Sequence, residues 1–111
     1  MINTTEELKD FIVKCLEDKK ADDILVIDLE KRTDLARYMI FASGRSTKNV
    51  GAIADYVSLE VKYNTDLAVN IEGLGKSEWV LLDAGDIIVH VFYPETRAHF
   101  KLEEMWNKRL K

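Results

Sequence analysis

A chain of 111 residues with a single cysteine, 47% apolar residues and a formal charge of −4 at neutral pH is long enough to bury one core without disulfides. Its pI of about 5.2 argues against a large phosphate-binding surface, which is normally basic, and favours a basic protein as partner. Residues 1–20 are charged and amphipathic rather than signal-like, and no run approaches the ~18 apolar residues of a membrane span. The expectation is one cytoplasmic domain over residues 1–111, without membrane contact.

In chain order, a first helix is predicted from Thr5 to Lys19. Thr4 and Glu7 have capping-box spacing, and Leu8, Phe11, Ile12, Cys15 and Leu16 recur at helical intervals. Cys15 on that stripe reads as a buried structural thiol. Strands follow at Ile24–Leu29 and Tyr38–Ala42, separated by a charged connection at Glu30–Asp34. Ser43-Gly44 ends the second strand, and a second helix runs from Ser46 or Thr47 to Tyr63 with Val50, Ile53, Ala54, Val57 and Val61 on one side. Leu67–Glu72 is a third strand and Gly73-Leu74-Gly75 a loop. Pro94 opens a last helix that carries Phe100, Leu102, Met105, Trp106 and Leu110 and ends in Lys108, Arg109 and Lys111, as the helix dipole prefers. Trp106 is placed to anchor that helix on the sheet. The order predicts an α/β (α+β) fold, a mixed five-stranded sheet packed with helices, the third strand reaching the earlier ones through the second helix.

Between the loop and Pro94, Trp79–Asp83 and Asp86–Phe92 read as a hairpin around Ala84-Gly85. A two-residue turn there pairs Asp83 with Asp86, Leu82 with Ile87, Leu81 with Ile88, Val80 with Val89 and Trp79 with His90. One face is then aliphatic core: Val80, Leu82, Ile87, Val89 and Val91. The other mixes Trp79, Leu81, Asp83, Asp86, Ile88, His90 and Phe92. Opposed carboxylates are destabilising, so Asp83 beside Asp86 implies a cation from outside. A three-residue connection with a Gly bulge would shift the register by one and part the two aspartates.

The run Trp79 to Phe92, followed by Arg97 and by Phe100-Lys-Leu102-Glu103-Glu-Met-Trp106, resembles the ribosomal silencing factor (Iojap) family. So do Lys20-Ala-Asp-Asp-Ile24 with Asp28, Ser43-Gly-Arg-Ser46, Ala52-Ile-Ala-Asp55 and Glu72-Gly73. Arg37 stands where the family usually has Asp, and Phe100 where it usually has Tyr. The resemblance implies a nucleotidyltransferase-like fold without catalysis. It implies a factor that binds the large ribosomal subunit through ribosomal protein L-fourteen and blocks joining of the small subunit, with rRNA in a minor role. Related factors are linked to silencing under nutrient scarcity, and organelle relatives to large-subunit assembly. Trp79, Leu81, Asp83, Asp86, Ile88, His90, Phe100 and Glu103 are the candidate partner-binding residues. No cofactor and no metal is expected.

Plainer readings stand beside these. Trp79 is equally at home in a core, its indole N–H bonded to His90, and Arg97 with Glu103 reads first as an internal ion pair. A homodimer through the same sheet face is a further reading. An enzyme would use Ser43-Gly44-Arg45-Ser46 as a phosphate cradle at a helix start, with Asp83 and Asp86 on a metal. However, nucleotidyltransferases generally place two carboxylates two apart on one strand, which this spacing does not do.

Overall fold

Thr4 and Ser46 start the two long helices by the same device. The Thr4 hydroxyl accepts the Glu7 amide at 3.1 Å, and that of Ser46 accepts the Asn49 amide at 3.0 Å. The computed structural model describes residues 2–30 and 34–110, with side chains as far as Trp106. Its elements are α1 (Thr5–Asp18), β1 (Asp22–Asp28), β2 (Tyr38–Ser43), α2 (Thr47–Asn64), β3 (Asn70–Glu72), β4 (Trp79–Ala84), β5 (Ile87–Phe92), α3 (Pro94–Phe100) and α4 (Leu102–Leu110). Positions 31–33 of the charged connection Glu30–Asp34, the side chains of Lys108, Arg109 and Leu110, and Lys111 lie outside the described residues.

The mixed five-stranded sheet has the order β1-β2-β5-β4-β3. Only β2 and β5 are parallel, Tyr38 opposite Ile87 and Phe41 opposite His90. This corrects the expected crossover: β3 pairs with β4 at the far edge, and the strand beside β2 is β5. Strand chemistry accounts for it. Every residue of Ile87–Phe92 is buried, as an interior parallel strand requires, whereas β3 is a three-residue strand with two exposed residues.

Alternation sends side chains to two faces. On the first, α1 and α2 cover Tyr38, Ile40, Val80, Leu82, Val89 and Val91. Cys15 lies there as expected, 2% exposed, and burial pushes its thiol up to about 11. The second face has its own cluster of Ile27, Leu29, Met39, Phe41, Ile88 and Phe92, with Leu102 and Trp106 of α4 packed on it. Trp106 thus anchors α4 to the sheet as predicted.

The hairpin turns at Gly85-Asp86, one residue later than predicted, with Ala84 opposite Ile87. Gly85 takes φ +69, the positive value that the first central position of a primed turn demands. Ala84 would be strained there, and instead fills the core at 1% exposure. The slide moves every pairing by two, so the faces survive while the partners change: Trp79 faces Phe92, Leu81 faces His90 and Asp83 faces Ile88. Asp83 and Asp86 are not opposed, and neither expected register holds.

The last helix is broken. Lys101 adopts φ 50 in the left-handed region, its amide bonded to the Arg97 carbonyl at 3.0 Å. Two positions along a straight helix differ by about 200°, which would turn Phe100 away from the side that Leu102 uses. With the break, Phe100 meets Trp79 while Leu102 and Trp106 reach the same sheet face.

Candidate partner-binding face

β4 carries Trp79, Leu81 and Asp83 on the second face, each beside a residue of β5. The Trp79 indole N–H donates to His90 Nδ1 at 2.9 Å, diagonally across the pair rather than directly. His90 stacks on Phe41 at 4.9 Å with planes 9° apart, and Trp79 stacks on Phe92 at 5.1 Å. Burial lowers the His90 imidazole to about 4, so at neutral pH the ring is uncharged, with Nδ1 the acceptor and the proton on Nε2. The plainer reading of Trp79 as a hydrogen-bonded packing residue is therefore realised, although the ring remains partly exposed.

Trp79 also meets Phe100 of α3 at 5.2 Å. Around this pair lies a groove of about 400 Å³, bounded by Gly73, Gly75, Lys76, Glu78 and Thr96. Gly73 shapes it. Its φ is +93, and a Cβ there would come within 2.2 Å of the Trp79 carbonyl oxygen, so only glycine lets the loop close over β4. Phe100 is 51% exposed, so with Trp79 it gives the groove an apolar wall beside the polar Lys76, Glu78 and Thr96.

The eight predicted site residues do not form one patch. Trp79 and Phe100 meet at the α3 end, Leu81 lies two residues along β4 opposite His90, and Glu103 stands on α4 bonded to Arg97. Asp83 lies four residues along β4 from Trp79, about 13 Å at strand rise, exposed between Asn70 and Ile88. Asp86 is in the turn, not on the mixed face. Its carbonyl accepts the amides of Arg37 at 2.7 Å and Tyr38 at 3.2 Å. Ile88 and His90 are 8% and 5% exposed, so they support the surface from beneath.

Glu103 is held by Arg97, whose Nε reaches both carboxylate oxygens at 2.9 Å, while Arg97 Nη1 donates to Ser43 Oγ at 2.8 Å. The internal ion pair is as expected, but Ser43 as its third member was not foreseen. A small polar residue at a buried strand end was the available signal. Arg37 grips Asp28 through Nε at 3.0 Å and Glu6 through Nη1 at 3.2 Å. Its guanidinium holds the Asp28 carboxyl below the ordinary range.

In the segment Ser43–Ser46 the Gly44 amide donates to the Phe92 carbonyl at 2.9 Å. The Arg45 amide goes to Asn49 Oδ1 at 2.8 Å and the Asn49 amide to Ser46. Gly44 is there for packing, since a Cβ would lie 2.7 Å from Val50 Cγ2. Among the described residues no group of three or more His, Cys, Asp or Glu is placed to hold a metal ion.

Comparison with known proteins matches residues 2–111 to a family described as "Ribosomal silencing factor during starvation". A ribosomal silencing factor of Zymomonas mobilis is 44% identical over 101 residues, 91% of this chain and 76% of the relative. A mouse protein named for mitochondrial assembly of the ribosomal large subunit is 32% identical over 103 residues, 90% of this chain and 45% of its own. A crystal structure of a Chromobacterium violaceum protein superposes with a TM-score of 0.90 at 36% identity, covering 95% of this chain and 88% of that one.

Proposed function

The chain belongs to the ribosomal silencing factor family, and from that premise we propose that it represses translation by binding the large ribosomal subunit through ribosomal protein L-fourteen. Bound there, it keeps the small subunit from joining by occupying its docking surface. The observation that carries this reading is the half-open apolar surface of Trp79, Leu81 and Phe100 on an acidic domain, with Asp83 exposed farther along the same strand. An apolar centre with exposed Glu78 at its rim and Asp83 farther along the strand suits a basic protein better than bare rRNA. Rigid aromatic anchors are also the usual carriers of binding energy at such surfaces. No chemical step is assigned, and the role is occlusion in the cytoplasm. The mouse relative is named for assembly of the ribosomal large subunit, a second use that docking on that subunit would serve.

Co-sedimentation of the purified chain with isolated large and small subunits tests the proposal. Binding to large subunits alone, with fewer joined particles when small subunits are added, is the expected result. Equal binding to both, or to neither, refutes it. Affinity should fall modestly with salt, because few phosphate counterions are released. A slope corresponding to about six or more ions would show an rRNA-dominated contact instead.

A further inference from the structure

Arg97 joins three elements at once. From α3 it forks onto Glu103 of α4, with Nη2 also 2.5 Å from Glu103 Oε2, and reaches Ser43 at the end of β2. The group is well shielded: the Arg97 and Glu103 side chains are 12% and 20% exposed, and Ser43 is 3% exposed. It bridges Lys101, the left-handed residue at which the chain turns from α3 into α4.

We propose that Arg97 is the positioning residue that docks α4 onto the second sheet face, and that Glu103 acts on partner binding through this dock rather than by touching the partner. A nine-residue helix has little stability of its own and depends on tertiary contacts. Leu102 and Trp106 supply the apolar part of that contact, and both lie after the break, so the angle at Lys101 decides whether they meet the sheet. The fork sets that angle, because a bidentate guanidinium–carboxylate pair fixes orientation as well as distance. With α4 released, Phe41, Phe92 and Ile88 lose a wall, and the Phe100 ring loses the frame that holds it against Trp79. The effect on binding rests on the function proposed above. The docking itself does not.

The test measures amide hydrogen exchange and large-subunit affinity in the full chain and three variants: Arg97→Gln, Glu103→Gln, and Arg97→Met combined with Glu103→Leu. The single variants should exchange at least ten-fold faster over residues 102–110 while β2 and β5 keep their protection. Their affinity should fall about ten-fold, because a binding-competent state populated one part in ten weakens binding by that factor. The double variant replaces the ion pair by apolar contact, which can substitute for a shielded pair. It should recover both protection and affinity. Unchanged exchange in the single variants, or faster exchange spread evenly over the whole chain, overturns the docking role. Any variant in which affinity and α4 protection part company, above all a protected but weak-binding double variant, shows Glu103 to be a direct contact and overturns the positioning role. If the unaltered chain fails to bind large subunits, the functional proposal fails while the exchange results still decide the dock.

Discussion

Acidification should find His90 before it finds the rest of the core. The ring is 5% exposed, accepts the Trp79 indole N–H through Nδ1 and lies flat on Phe41. A proton on Nδ1 would remove the acceptor and bury a charge against aromatic faces. Burial lowers the imidazole from 6.5 to about 4, so the folded ring resists a proton that the unfolded ring takes. The resulting stability is complete above pH 6.5 and is lost as pH falls towards 4. At 1.36 kcal/mol per unit the whole effect is about 3 kcal/mol, of which about 2 should be gone by pH 4.5. Urea unfolding followed by tryptophan fluorescence, at intervals from pH 7.5 to 4.5, would compare the unaltered chain with His90→Gln, whose amide offers Trp79 an acceptor but does not titrate. The carboxylates titrate in both, so the difference in slope isolates the imidazole. The unaltered chain should lose about 2 kcal/mol more than the variant over that range. Parallel stability curves would refute the reasoning.

Trp79→Ala should cost about 2 to 3 kcal/mol of stability, because it deletes the stack on Phe92 and leaves His90 Nδ1 unpaired. Large-subunit affinity of the still-folded protein should drop by roughly 2 kcal/mol as well, and titration calorimetry at saturating fold would show wild-type binding if Trp79 is packing alone. Asp86→Lys should leave the melting temperature nearly unchanged, since the turn uses the Asp86 carbonyl rather than its side chain. Stopped-flow association should slow if that carboxylate steers a basic partner. Gly73→Ala should lower stability by about 1 to 3 kcal/mol in denaturant titration, through the positive φ and the clash with the Trp79 carbonyl. An unshifted midpoint would show that the loop is free to move.

The two faces of the sheet were legible because alternation depends only on parity: Val80, Leu82, Val89 and Val91 fall together in any register that slides by two. The register was not. Ala84-Gly85 and Gly85-Asp86 are both plausible two-residue turns by composition, and they differ in which residue must take positive φ. Strand order was equally hidden, because local periodicity identifies β3 and β5 as strands without saying which lies beside β2. Only burial on both faces distinguishes them, and Ile87–Phe92 carried that signal as a nearly unbroken apolar run interrupted by His90. Lysine gives no warning of a left-handed turn, so the helix break at Lys101 could not be read. The spacing of Arg97 and Glu103 indicated a pair. Its third partner, Ser43, comes from a strand distant in sequence that only the parallel pairing brings near.

That parallel pairing also sets a timetable for synthesis. Every contact along the β2–β5 seam joins the first half of the chain to the last third, so the middle of the sheet cannot close until Phe92 has left the exit tunnel. The β1–β2 and β4–β5 pairs, by contrast, are local hairpins that can form as they emerge. Non-local contacts of this kind slow folding, since a long loop must close before any of them forms. A nascent chain arrested before residue 87 would present β2 with an unpaired apolar edge while still tethered to a ribosome. Stalled fragments should therefore be aggregation-prone or chaperone-bound in proportion to how much of β5 they lack.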